Sequence, residues 1–226
     1  MDFMRILQSL EEFLYEAMSW VVFYPRAIYR TLRHPVAVAV YTREQLAQPR
    51  ELQFRALISP PLLLILTVII THVMEMAGPA GEAAARGVVG KELFGTEQGL
   101  IATRSVIFCI FALVGSYNWL RQERKPVDRD SLREPFYIHC YLLAPFVLLL
   151  AIALLLAESK NRTAVIGSGV VYVVSCAWYA WAQTNIYIRL LHRSRLSGFL
   201  LACRVNLLAT MAVAAIVFVI FGLKSV

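Results

Sequence analysis

The stretch Phe136 to Leu156, FYIHCYLLAPFVLLLAIALLL, carries no charged side chain from end to end. At 1.5 Å per residue, a helix of about 20 such residues matches a hydrocarbon layer about 30 Å thick. The run therefore predicts a membrane-spanning helix. Two comparable runs precede it, at about 57–77 and 100–120, and two follow, at about 163–188 and 196–223. The expected fold is an all-α polytopic membrane protein with five transmembrane helices (residues 57–226), preceded by an amphipathic, cytoplasmic or interfacial helical segment over residues 1–56.

Composition agrees with this reading. Of 226 residues, 59% are hydrophobic and the mean hydropathy is +0.62, against about 45–50% apolar residues in ordinary soluble domains. Five spans leave only short loops, which excludes a second folded domain after the N-terminal segment. The net charge of +7 lies beside apolar runs and is not interleaved with aromatics in a patch, so anionic lipid headgroups are the expected counter-ions and nucleic acid is not. Cys109, Cys140, Cys176 and Cys203 fall one to a run, without CxxC or Cys/His spacing. They read as packing residues, and neither a metal nor another cofactor is expected. Arginine outnumbers lysine 18 to 4, which points to a GC-rich genome and hence to a bacterial inner membrane.

The N-terminal segment MDFMRILQSLEEFLYEAMSWVVFY places Phe3, Ile6, Leu7, Leu10, Phe13, Leu14 and Ala17 at three- and four-residue steps, opposite Arg5, Gln8, Glu11, Glu12 and Glu16. This is an amphipathic helix lying in the interface plane, with Trp20 at headgroup depth. After Pro25 a short second helix is expected to end before Pro35. It sets Arg26, Arg30 and Arg33 along one side, either as a lipid- or partner-binding row or as a solvated basic face. VAVAVY (Val36 to Tyr41) is open between extended and helical, and Thr42 is the expected cap of the helix that follows. Pro60 and Pro61 fall in the first turn of span 1, where the missing N–H matters least. EAAARGVVGKELFG suggests a short helix on the outer surface.

Orientation follows from Lys and Arg counts. Fifteen fall before span 1, between spans 2 and 3 and between spans 4 and 5, whereas Arg86, Lys91, Lys160, Arg162 and Lys224 fall on the other side. That ratio puts the N-terminus in the cytoplasm and the C-terminus outside. The sequon Asn161-Arg162-Thr163 would press against the membrane and is discounted as a glycosylation site.

Ionisable and amide groups at membrane depth are costly and draw attention first. Glu75 and Arg104, near the outer ends of spans 1 and 2, fit a structural ion pair. Asn118, His139, Gln183, Asn185, Arg204 and Asn206 all fall near the inner ends of spans 2 to 5 and are expected to form one polar intramembrane cluster. Such a cluster serves either as interhelical glue or as a substrate or headgroup site. His139 has no second ligand at metal spacing on its helix, so it reads as an interior packing residue. Pro145 is expected to kink span 3. Gly167, Ser168, Gly169 and Ser175 give span 4 a small-residue stripe suited to close helix contact.

The proline-marked start Ser59-Pro60-Pro61, the five closely spaced spans and the triplet Leu143-Ala144-Pro145 together resemble the Yip family of five-span membrane proteins over about Arg50 to Val226. That resemblance implies a non-enzymatic role, since eukaryotic members act as scaffolds in membrane traffic. The leading expectation is a membrane scaffold or accessory subunit that binds partner proteins or lipids at the inner leaflet, alone or as a homo-oligomer. The alternative is a small permease component with a polar path near the cytoplasmic side. No acid–base or nucleophile constellation supports an enzyme.

Overall fold

The computed structural model describes residues 2–76 and 97–222. Among the described residues the fold is all-α, with seven helices: α1 (Asp2–Arg33), α2 (Pro35–Leu46), α3 (Pro60–Met76), α4 (Glu97–Glu123), α5 (Arg129–Ala157), α6 (Arg162–Leu190) and α7 (Arg195–Gly222). A 3-10 turn, Arg50–Leu52, links α2 to α3. Four of these helices, α4 to α7, are long and apolar enough to cross a membrane. The fifth apolar helix, α3, has 17 residues, or about 25 Å. The expected outer-surface helix over 82–95 lies outside the described residues.

Helix α5 is the axis of the bundle. It packs against α3, α4, α6 and also α2, and its side chains from Ile138 to Pro145 are buried without interruption. One core joins Trp119, Ile138, Leu142, Leu143, Ala182, Ile186 and Val205, and a second joins Ala27, Ile28, Val38, Leu57, Leu63 and Tyr141. The outer faces are apolar as well: Val170, Val173, Val174, Leu207 and Met211 are exposed large hydrophobics, the pattern of a surface that meets hydrocarbon.

The N-terminal segment differs from its expected local structure at three points. Helix α1 runs through Pro25 to Arg33 as one element of 32 residues. Pro25 is exposed, so its ring is accommodated on the outer side of the turn and no break results. VAVAVY is helical, because Pro35 starts α2 at a position that has no N–H to satisfy. Thr42 lies inside α2 and is no cap: its hydroxyl donates back to the Val38 carbonyl at 2.8 Å.

The span limits also move. The helix expected to begin at Phe136 begins at Arg129, because Asp128 caps it: its side chain accepts from the backbone N–H groups of Asp130 and Ser131, and the Ser131 hydroxyl accepts from the Asp128 N–H. The cap draws RDSLREP into the helix ahead of the apolar stretch. Helix α3, where span 1 was expected from about 57, starts at Pro60. Leu57 and Ile58 approach it in non-helical backbone and are buried, and the Tyr141 hydroxyl donates to the Ile58 carbonyl at 2.7 Å. Asn161 caps α6, its side chain accepting from the Thr163 N–H at 2.9 Å, a structural use of the sequon residue.

Candidate functional site

Three basic segments that are far apart in the chain meet at one end of the bundle. Arg43 on α2 pairs with Glu134 on α5 (Nε to Oε1, 2.6 Å), Arg133 donates to Gln53 Oε1 (2.8 Å), and Arg193 after α6 donates to Gln122 Oε1 on α4 (2.6 Å). The segment before α3, the turn between α4 and α5 and the turn between α6 and α7 thus share one face.

A groove of about 610 Å³ opens on this face between α1, α2 and α6. Arg30, Arg33 and Arg189 line it with Glu44, Tyr41, Trp181 and Asn185. Local sequence explains the convergence. Arg30 and Arg33 lie one turn apart at the end of α1, Tyr41 and Glu44 lie one turn apart on α2, and Trp181, Asn185 and Arg189 follow at four-residue steps on α6. The Arg30 guanidinium lies 5.5 Å from the centre of the Tyr41 ring, a cation–π contact that holds it in place. Burial pushes the Tyr41 phenol above its ordinary range, so the hydroxyl stays neutral. Among the described residues none of the three guanidiniums forms an ion pair with a carboxylate. A second, smaller hollow of about 450 Å³ holds Arg50, Arg129, Arg133 and Asp130 beside Tyr137.

Of the expected basic row, Arg30 and Arg33 enter the groove while Arg26 does not line it and stays exposed on α1. Trp20 is half-buried against the second core with Phe23 and Tyr24. The row is split because α1 docks on the bundle through Ala27, Ile28 and Thr31, which are buried, leaving Arg26 and Arg33 on outer edges of the helix.

The six polar residues expected in one cluster are distributed over several environments. His139 is fully buried, its Nδ1 2.7 Å from the Pro135 carbonyl and its Nε2 3.4 Å from the Tyr187 hydroxyl, with the Trp119 ring edge-on to it. Asn118 is buried and donates to its own helix at Val114. Gln183, 1% exposed, interacts electrostatically with the Tyr179 hydroxyl, yet neither of its amide atoms makes a hydrogen bond of good geometry. Asn185 faces the basic groove. Asn206 lines a separate hollow of about 430 Å³ between α4, α5, α6 and α7, walled by Phe108, Phe111, Phe146 and Tyr179. Arg204 is exposed on α7.

Toward the opposite end of the bundle, Glu75 Oε2 and Arg104 Nη1 lie 2.5 Å apart, with side chains 17% and 28% exposed. His72, one turn before Glu75, is buried, and among the described residues its Nε2 has no hydrogen-bond partner. Among the described residues no group of three His, Cys, Asp or Glu side chains is placed to hold a metal ion.

The chain matches no family model, no curated protein and no solved structure.

Two close contacts escape a reading by sequence alone. Gly115 on α4 faces the His139 ring so closely that a Cβ there would collide with it, and Gly198 on α7 approaches the Thr184 carbonyl of α6. The glycines that looked suited to close contact, Gly167 and Gly169, face open space. They lie near the start of α6, where neighbouring Val165, Ile166 and Val170 are exposed, whereas the packed part of that helix begins at Ser175. A lone glycine at a crossing carries no periodic signal, and only the partner helix identifies it.

Proposed function

We propose that this protein is a non-enzymatic membrane scaffold or accessory subunit whose basic end holds anionic lipids or partner proteins at the cytoplasmic leaflet. The observation that carries the reading is the convergence of three basic segments on one face, with α1 and α2 built into the bundle beside them. Such an excess of arginine belongs on the cytoplasmic side of a membrane, which puts the N-terminus inside. On this reading α3 is the fifth span. It buries Leu63, Leu64 and Val68 against the bundle, and 17 residues reach the lower limit of a transmembrane helix. The layout is then that of the five-span Yip-like proteins, in a bacterial inner membrane.

The permease alternative has less to draw on. His139, Asn118 and Gln183 are 0%, 5% and 1% exposed, and side chains packed this tightly serve as interhelical glue more readily than as a path.

The test is a crosslinking pull-down from native membranes with the full chain and with the double variant Arg26→Glu/Arg33→Glu. Both residues are exposed, so the fold should tolerate the change. The reading expects co-purified lipids and proteins to be depleted in the variant. An unchanged set would contradict it.

A further inference from the structure

We propose that the groove between α1, α2 and α6 is a binding site for the phosphate-monoester headgroup of a membrane lipid, held by Arg30, Arg33 and Arg189. This rests on the reading of the basic end as the lipid-facing cytoplasmic end and names the ligand chemistry there. Three guanidiniums against the single carboxylate of Glu44 leave a net charge of two to be balanced. A phosphate monoester, close to doubly charged near neutral pH, balances it, and a phosphodiester headgroup such as phosphocholine does not. Guanidinium forks also match phosphate oxygens two at a time. Arg30 is already positioned by the Tyr41 ring, so less side-chain freedom is lost on binding.

The lipid, as opposed to free phosphate, is indicated by the face of α6 that leads to the groove. Val170, Val174, Ala177 and Trp181 follow one another at helical spacing and are all exposed, and the same stripe turns polar at Asn185 and Arg189. An acyl chain laid along the apolar part delivers its headgroup to the basic part. Trp181, 52% exposed at the junction, has the amphipathic ring favoured at headgroup level. Asn185 donates to the Trp181 carbonyl at 2.7 Å, which leaves its side-chain oxygen and second N–H for the headgroup or for water.

The full chain in phosphatidylcholine nanodiscs, titrated with a fluorescent phosphatidate, tests the assignment. Saturable binding is expected for the wild type, with affinity about tenfold lower for Arg189→Gln and for Arg30→Gln, as for loss of one charge-assisted contact. Arg189→Lys should keep part of the affinity, and Arg26→Gln, outside the groove, should keep all of it. Melting of each variant shows whether it is folded. Binding by folded Arg189→Gln and Arg30→Gln equal to wild type overturns the site. Displacement of the phosphatidate by inorganic phosphate at comparable concentration overturns the lipid assignment in favour of a soluble phosphate. Loss of phosphatidate binding in Arg189→Gln is separable from the broader reading, because partner capture tested through Arg26 and Arg33 does not use Arg189. If Arg26→Glu/Arg33→Glu still depletes the captured set while Arg189→Gln and Arg30→Gln bind phosphatidate normally, the site fails and the reading stands.

Discussion

The indole N–H of Trp178 on α6 donates to the backbone carbonyl of Leu32 at 3.0 Å, joining two residues 146 positions apart. Leu32 lies in the last turn of α1, where carbonyls have no partner within the helix. The bond therefore satisfies an orphan acceptor and fixes the end of α1, and with it Arg30 and Arg33, against α6. Trp178→Phe keeps most of the ring and removes the donor. It should cost about 1 kcal/mol and increase proteolytic cleavage at the end of α1, while Trp178→Ala should cost about 3–5 kcal/mol. Equal stability of Trp178→Phe and wild type would show that the bond does not hold α1.

Gly115 and His139 should behave as a coupled pair. Because a Cβ at Gly115 would meet the His139 ring, Gly115→Ala should destabilise by about 1–3 kcal/mol. In a His139→Ala background the same change should cost much less. A double-mutant cycle by thermal or denaturant melting in detergent measures the coupling. Additive effects would mean that the ring yields without strain.

Glu75 and Arg104 depend on each other in the same way. Removing one partner of a largely buried ion pair leaves the other charge uncompensated, so Glu75→Gln should destabilise by about 1–3 kcal/mol. The double neutral variant Glu75→Gln/Arg104→Gln should recover much of that loss. A double variant as unstable as the sum of the singles would argue against a pairing role.

Asp128 gives the fold a dependence on acid. The backbone N–H of Ser131, supported by the Ser131 hydroxyl and the Asp130 N–H, holds its carboxyl below the ordinary value of 3.8. A carboxylate with a depressed pKa contributes stability above its unfolded pKa and loses it as pH falls through the folded one. The N-terminal end of α5 should thus be protected above pH 3.8 and become more open to amide exchange in more acidic buffer. Asp128→Asn keeps a capping oxygen and should flatten that pH dependence. Identical acid profiles for both proteins would remove Asp128 from the account.

The all-α class and the apolar helices were legible because an uncharged run long enough to cross a bilayer is a strong signal, and Phe136 to Leu156 is one. Element ends were less so. Asp128 extends α5 back to Arg129 through a cap hidden in a charged loop, and Pro25, normally a helix breaker, is carried within α1. The basic row of α1 was visible as spacing, but its division was not. Which arginines meet Arg189 depends on which face of α1 is docked, and Ala27, Ile28 and Thr31 decide that through contacts with distant parts of the chain. Likewise, residues near the same ends of four helices separate once the helices rotate about their axes. His139 and Gln183 turn inward, Arg204 turns outward, and Asn185 and Asn206 enter different hollows.

Helix α1 is a fixed part of the bundle, seated so that Arg30 and Arg33 share one groove with Arg189. Pulsed electron-electron spin distances in nanodiscs test it directly, with labels at Tyr29→Cys on α1 and Val174→Cys on α6 after replacement of the four free cysteines; both labelled positions are exposed. One narrow, short-range distribution, unchanged by added anionic lipid, is expected. A broad or long-range distribution, as for a helix lying separately on the membrane surface, would contradict it.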